Sequence, residues 1–418
     1  MHEGDRSDGG ALPAMTRPPG LLRVLLTYLV VATLSAAAGV GATLTVQRVT
    51  APHPGATGMP HEAAADRLNG VATMNDRAVY RAVEPGVVDV VGNLRYLQEA
   101  AEGTGFVIDA AAGLILTNNH VIDGATSVTV TPVTSGRSYP ARILGYDRAD
   151  DLALLQVRGV PRLAAVRIGS SARARVGTPV LAIGNEGGRG GSPTVAPGVI
   201  SSLDRTIIAS DRSSDLTETL YGMLQTSADI RPGDSGGPLA DADGRVIGIN
   251  TAAGGSTVYS GYAIPIDRAM PIARQIAAGR QGSRIQIGLP AFLGVLLPDS
   301  SSTDPRRQAS QELRQTGTVS GSGGGCTSGD TTATPASIAP AGTGALVDGV
   351  LCGTPADQAG LIAGDVITSV GGQPVTSPRS LTALVSRCHP GSRVPLAWVA
   401  PGGSLHTKVI TLTAGPAE

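Results

Sequence analysis

The chain has 418 residues, enough for two or three domains with real cores. With 32 Lys+Arg against 33 Asp+Glu it has no net basic field, and that balance argues against nucleic acid as a partner. The three cysteines, Cys326, Cys352 and Cys388, are widely spaced in the last quarter of the chain. They supply neither a CxxC redox pair nor a zinc cluster, and no metal is expected.

Residues 1–23 form a short segment containing Arg6, Arg17 and Arg23. An uncharged apolar run follows at residues 24–46, VLLTYLVVATLSAAAGVGATLTV. At about 1.5 Å per residue it is long enough to cross a hydrocarbon core of roughly 30 Å. It reads as a transmembrane helix, and the arginine bias places the N-terminus in the cytoplasm and the rest of the chain outside. A cleaved signal peptide is the alternative, with SAAAGVGA as its processing region. Residues 47–77 mix proline, glycine, alanine and charge without periodicity, as a linker does.

From residue 78 to 285 short β-branched runs recur at regular intervals: GFVID, LILT, SVTVTPV, ARILGY, LALLQV, PVLAIG, GVISSL, GMLQT, RVIGIN and GYAIPI. Such spacing predicts an all-β sandwich or barrel. DRAMPIARQIAAGR, residues 267–280, has helical spacing and closes this region. Within residues 286–414 a second domain is expected, interrupted by a low-complexity insertion at 298–343 whose composition predicts mobility. Order resumes with ALVDGVLCGTPADQAGLIAGDVITSVGGQPV, the helical SLTALVSRC, and the strands PLAWVA and TKVITLT.

RPGDSGGPL places Ser235 in a glycine-rich turn. A serine hydroxyl is a poor nucleophile at neutral pH until a base takes its proton, and histidine is the usual base. Of the six histidines only His120, in LTNNHVI, lies in the β-rich region, directly after the strand-like LILT. A carboxylate must then fix the imidazole tautomer, and DRADDLALLQV supplies Asp150 or Asp151. The order His, Asp, Ser is that of chymotrypsin-type enzymes. The backbone N–H groups of Gly233 and Ser235 are the candidates for holding an oxyanion.

Taken together, TGFVID, LTNNHVI, DDLALLQV, LAIGN, GVISSLDR, PGDSGGPL, VIGINTA and GYAIPID resemble the successive motifs of the HtrA (Deg) family of serine proteases, over about residues 78–414. The resemblance selects Asp151 over Asp150. It implies two six-stranded β-barrels with the triad in the cleft between them, and a C-terminal PDZ domain. It further implies endoproteolysis of unfolded or exported proteins without metal or cofactor. AFLGV resembles the PDZ carboxylate-binding loop, in which the amides of Leu293, Gly294 and Val295 would receive a peptide C-terminus. Trimers are common in the family, although no contacts that would build a homo-oligomer are recognisable here. A second reading is a PDZ-based binding or chaperone-like protein whose protease domain is latent.

Two positions stand out against the family pattern. Asp234 precedes the nucleophile where HtrA proteins usually have asparagine, so it either needs a partner of its own or stays solvated. Asp229, six residues before Ser235, occupies the offset at which trypsins select arginine or lysine. Pairing with nearby Arg231 would leave the pocket neutral and favour cleavage after small aliphatic residues. In an oxidising compartment Cys352 and Cys388, both in PDZ-like sequence, are expected to pair and leave Cys326 free.

Overall fold

The computed structural model describes residues 74–96, 99–185, 191–210, 217–251, 261–298, 302–305, 308, 326–327, 335 and 337–417. The apolar run at 24–46 lies outside them, and no helix of the described residues is long and apolar enough to cross a membrane.

The described chain opens with helix α1 (Asp76–Val83), capped by the Asn75 side chain, which accepts from Ala78 N–H at 3.0 Å. Six strands follow: β1 (Val87–Leu94), β2 (Glu99–Asp109), β3 (Leu114–Thr117), β4 (Ser127–Pro132), β5 (Tyr139–Asp147) and β6 (Leu152–Val157). They pair in the order β5-β4-β1-β2-β3-β6, and β5 also pairs with β6, which closes a barrel. Strand β4 shows why: Val128, Val130 and Pro132 are buried while the alternating Ser127 and Thr129 face solvent.

A second set comprises β7 (Arg167–Ile168), β8 (Pro179–Gly184), β9 (Thr194–Ser210), β10 (Thr217–Thr226), β11 (Pro238–Asp241), β12 (Arg245–Thr251) and β13 (Gly261–Pro265). Six of these close as β11-β8-β9-β10-β13-β12, with β11 paired to β12 and β7 added in parallel to β12. The two six-stranded barrels expected from the sequence are therefore present. Helix α2 (Ile266–Ala277) follows, and β14 (Ile285–Ile287) then returns to pair with β5.

One apolar cluster joins the barrels. It contains Phe106, Leu116 and Leu154 from the first, Leu181, Ile183 and Ile249 from the second, and Ile266, Ala269, Ala273 and Ile276 from α2. Each fully buried Leu, Ile or Phe is worth about 1.5–3 kcal/mol, so the docking that defines the cleft is a stable feature.

The second domain contains β15 (Ala291–Phe292), β16 (Val295–Leu296), β17 (Ala345–Leu346), β18 (Gly349–Val350), α3 (Pro355–Ala359), β19 (Val366–Val370), β20 (Gln373–Pro374), α4 (Pro378–Val385), β21 (Arg393–Val399), β22 (Leu405–Thr411) and β23 (Thr413–Ala414). Helix α4 starts with a capping box between Ser377 and Ser380. Leu293, Val347, Ile367, Leu381, Leu396 and Trp398 form its core.

Beyond the boundary expected at 414, the chain turns back to the first barrel. Gly415 N–H donates to Pro290 O at 2.9 Å, Ala417 N–H to Ala125 O at 2.9 Å, and Gly124 N–H to Ala417 O at 2.8 Å. Ala417 is buried in the cluster that also holds Val121, Ile122 and Ala125.

The insertion is tied down at two described points. Gln308 is fully buried; its Nε2 donates to Gly344 O at 2.7 Å and its Oε1 accepts from Leu346 N–H at 2.8 Å. The second point overturns the expected Cys352–Cys388 pairing, because Cys352 is bonded to Cys326. Thr327 N–H donates to Val350 O at 2.7 Å and Cys352 N–H to Thr327 O at 3.0 Å, which lays the insertion in parallel beside the end of β18. That pairing brings the two Cα atoms to 4.8 Å, within bridging range. Cys388 keeps a free thiol, packed against the PDZ core past the end of α4 and donating to Leu384 O at 3.6 Å.

Candidate active site

Strands β3 and β6 are neighbours, with Thr117 opposite Ala153, so the turn that follows β3 meets the turn that precedes β6. His120 leaves the first of these turns and Asp151 the second. Asp151 has a left-handed backbone, φ 48°, which aspartate tolerates better than most residues, and its N–H donates to Arg148 O at 3.1 Å. His120 Nδ1 lies 2.9 Å from Asp151 Oδ2 and 3.1 Å from Oδ1, and the backbone N–H of His120 donates to Oδ1 at 3.0 Å. One carboxylate thus fixes both the ring and its backbone. The Asp151 side chain is 2% exposed and that of His120 31%, so the carboxylate is sealed off while part of the imidazole reaches solvent.

Asp150 points elsewhere. It meets Arg284 Nη2 at 2.6 Å and Arg268 Nε at 3.5 Å. Nearby Asp147 is buried, and burial first, then the Asp150 charge, push its carboxyl above the usual carboxylate range.

Ser235 is buried in a turn whose backbone is held at several atoms. Asp234 N–H donates to Arg231 O at 2.9 Å, Gly237 N–H to Asp234 O at 3.0 Å, and Gly236 N–H to Asn250 O at 2.9 Å. Because the peptide is trans, an Asp234 carbonyl aimed at Gly237 sends the Ser235 N–H the opposite way. Gly233 and Gly236 have φ of 98° and 84°, a region that side-chain-bearing residues rarely adopt. A Cβ on Gly236 would strike Thr117 Oγ1 and lie 3.2 Å from Asn118 N. The serine turn therefore packs directly on the strand end that carries His120.

Asp234 is almost buried, and its carboxylate accepts from Arg231 N–H at 2.9 Å and from the Thr194 hydroxyl at 3.1 Å. Asp229 Oδ2 accepts from Arg231 Nε at 2.8 Å and Nη2 at 2.6 Å, the pairing expected from the sequence. In the PDZ domain, Gly294 has φ 85° and packs against the Thr354 side chain, while Leu293 O accepts from Ala356 N–H at 2.9 Å. Val295 opens β16, and Phe292 meets the Tyr96 ring of the first barrel at 5.4 Å.

Two contributors were missed from the sequence. Asn118 is buried and its Nδ2 donates to Asp151 O at 2.9 Å, holding the aspartate turn against the histidine strand; the paired asparagines before His120 were its signal. Thr194, the hydroxyl partner of Asp234, stands forty residues upstream with no local mark.

A profile of the trypsin-like peptidase domain matches residues 103–249, and one of the PDZ domain matches 346–399. The putative serine protease HhoA of Synechocystis is 36% identical over 69% of this chain and 64% of its own length. The periplasmic pH-dependent serine endoprotease DegQ of Escherichia coli is 32% identical over 73% of this chain and 58% of its own. This chain thus spans less than two thirds of either relative. The serine protease PepD of Mycobacterium tuberculosis is 30% identical over 97% of this chain and 82% of its own. A solved structure described as HtrA-type protease AlgW with decapeptide aligns at 27% identity over 82% of this chain and 99% of its own, with a TM-score of 0.42, too loose a likeness for the assignment to draw on. From the two domain matches and the relatives in sequence, the chain belongs to the HtrA (Deg) family of trypsin-like serine proteases with a C-terminal PDZ domain.

Proposed function

We propose that the protein is a serine endopeptidase that cleaves unfolded or exported proteins outside the cytoplasmic membrane, to which residues 24–46 attach it. The observation that carries this reading is the His120–Asp151 pair beside a serine turn packed on the same strand end. Ser235 Oγ attacks the scissile carbonyl carbon as His120 Nε2 takes its proton, and Asp151 stabilises the imidazolium that results. The carbonyl oxygen becomes an oxyanion facing the N–H groups of Gly233 and Ser235. Collapse breaks the C–N bond, and His120 returns the proton to the departing amine. Water, deprotonated by His120, then attacks the acyl-enzyme; the C–O bond to Ser235 Oγ breaks, His120 returns that proton to Oγ, and the new C-terminal carboxylate leaves.

The Asp229–Arg231 pair supports a neutral primary pocket and cleavage after small aliphatic residues. The amides of Leu293, Gly294 and Val295 receive peptide C-termini at the PDZ domain. DegQ is described as periplasmic, which supports the same side of the membrane here. A homo-oligomer belongs to this reading, as in other members of the family.

A fluorophosphonate probe tests the reaction directly. The wild-type chain is expected to label at Ser235 and to hydrolyse casein, and Ser235→Ala to do neither while keeping its thermal transition. Casein hydrolysis by Ser235→Ala at the wild-type rate would refute the assignment.

A further inference from the structure

Thr104, in β2, is fully buried, and every hydrogen-bonding atom it has is engaged. Its N–H donates to Ser235 O at 2.9 Å and its Oγ1 to Gly233 O at 2.7 Å. The same Oγ1 accepts from Asn185 N–H at 2.9 Å, and the Thr104 carbonyl accepts from Thr117 Oγ1 at 2.7 Å. We infer that Thr104 is a positioning residue for acyl transfer: it clamps the carbonyls of Gly233 and Ser235, on the peptides either side of the one that carries the Ser235 N–H, so that this N–H is held toward the oxyanion.

The chemistry of the clamp follows from what each partner lacks. Gly233 has no Cβ, so nothing in its own covalent structure stops its peptide planes from rotating. The restraint comes from the first barrel, across the buried face where the two barrels meet. A hydroxyl has one proton and could aim it in several directions. Here the Asn185 N–H occupies a lone pair, which leaves the proton directed at Gly233 O. Asn185 is itself fixed, because its Nδ2 donates at 2.9 Å to the almost buried Asp89. A buried chain therefore runs from Asp89 through Asn185 and Thr104 to both flanks of Ser235. A threonine present only to fill space would be replaced by valine without consequence, whereas this one spends its hydroxyl proton on the turn and its lone pair on Asn185.

The inference rests on the peptidase reading, and one experiment separates the two. The full chain is prepared as wild type, Thr104→Val and Thr104→Ser. Peptide hydrolysis and fluorophosphonate labelling rates are measured well below each variant's thermal transition. Thr104→Val is expected to lower kcat about ten- to a hundred-fold, somewhat less than outright removal of an oxyanion donor, with KM within about threefold. Labelling should slow in step, and Thr104→Ser should recover to within about threefold of wild type. If Thr104→Val does not fold, Thr104→Cys, a weaker donor of similar size, carries the same expectation. A folded valine variant with unchanged kcat, a loss carried by KM, or no rescue by serine would overturn the positioning role alone. A wild-type chain that neither labels nor hydrolyses would overturn the peptidase reading, and this inference with it.

Discussion

Replacing Asp151 by asparagine swaps one carboxylate oxygen for an NH2 group, and the neighbouring hydrogen bonds decide which way that amide faces. Asp151 Oδ1 accepts the His120 backbone N–H at 3.0 Å, while Oδ2 stands 2.9 Å from Nδ1. Turning the new NH2 toward the backbone N–H would set two donors against each other at a buried site, at a cost of about 1–3 kcal/mol. The amide oxygen therefore stays on the backbone, and the NH2 donates to Nδ1. The imidazole proton moves to Nε2, and the nitrogen facing Ser235 can no longer accept. The expected loss in kcat is about ten-thousand-fold, or about 5.4 kcal/mol of barrier, with KM little changed. Steady-state hydrolysis of a fluorogenic peptide measures the loss, and nitrogen NMR of histidine-labelled protein reports the tautomer. An asparagine variant that kept more than about a tenth of wild-type kcat, or retained its proton on Nδ1, would refute the argument.

Three further outcomes follow from the same geometry. The Cys326–Cys352 bond closes a sequence separation of 26, so Cys326→Ser should lower stability by as much as about 3.5 kcal/mol from chain entropy, read by urea unfolding through Trp398, the only tryptophan; maleimide should label one thiol of the oxidised protein, Cys388, and labelling of Cys326 would contradict the pairing. Burial raises the Asp147 carboxyl above its unfolded value, so its favourable contribution is complete below that value and is lost as pH rises through the folded one. Asp147→Asn should accordingly gain on wild type in urea unfolding between acid and neutral pH, and a constant difference across that range would refute the burial argument. Asp229→Ala should leave a denatured-proteome cleavage profile dominated by cuts after Ala, Val and Ile; dominant cuts after Arg or Lys in the wild type, abolished by the substitution, would make Asp229 the specificity determinant instead.

What the sequence revealed and what it hid divide along a physical line. The barrels were legible because each strand carries its own burial pattern, and His120 and Ser235 because their chemistry and turn residues are local. Asp151 was separable from Asp150 only through the family pattern, since both precede the same apolar strand. The Asp229–Arg231 pair was readable at a spacing of two residues. The partner of Asp234 was not, because Thr194 reaches it only after β9 folds alongside β8. Cys326 was assigned to a free thiol because SGSGGG reads as unstructured chain. Its bond depends on Thr327 pairing with Leu351, just past β18, a contact no local composition announces.

Ala417 packs among Val121, Ile122 and Ala125, beside the turn that carries His120. During synthesis the strands of the first barrel emerge early, yet this part of its interior is completed by a residue made after the whole PDZ domain. Contacts so distant along the chain form slowly, because a long loop must close before they are rewarded. Completion of this cluster therefore waits on a residue made after the PDZ domain. A nascent chain cut short within the PDZ domain would hold every strand of the first barrel yet leave the cluster beside the His120 turn without the residue that fills it.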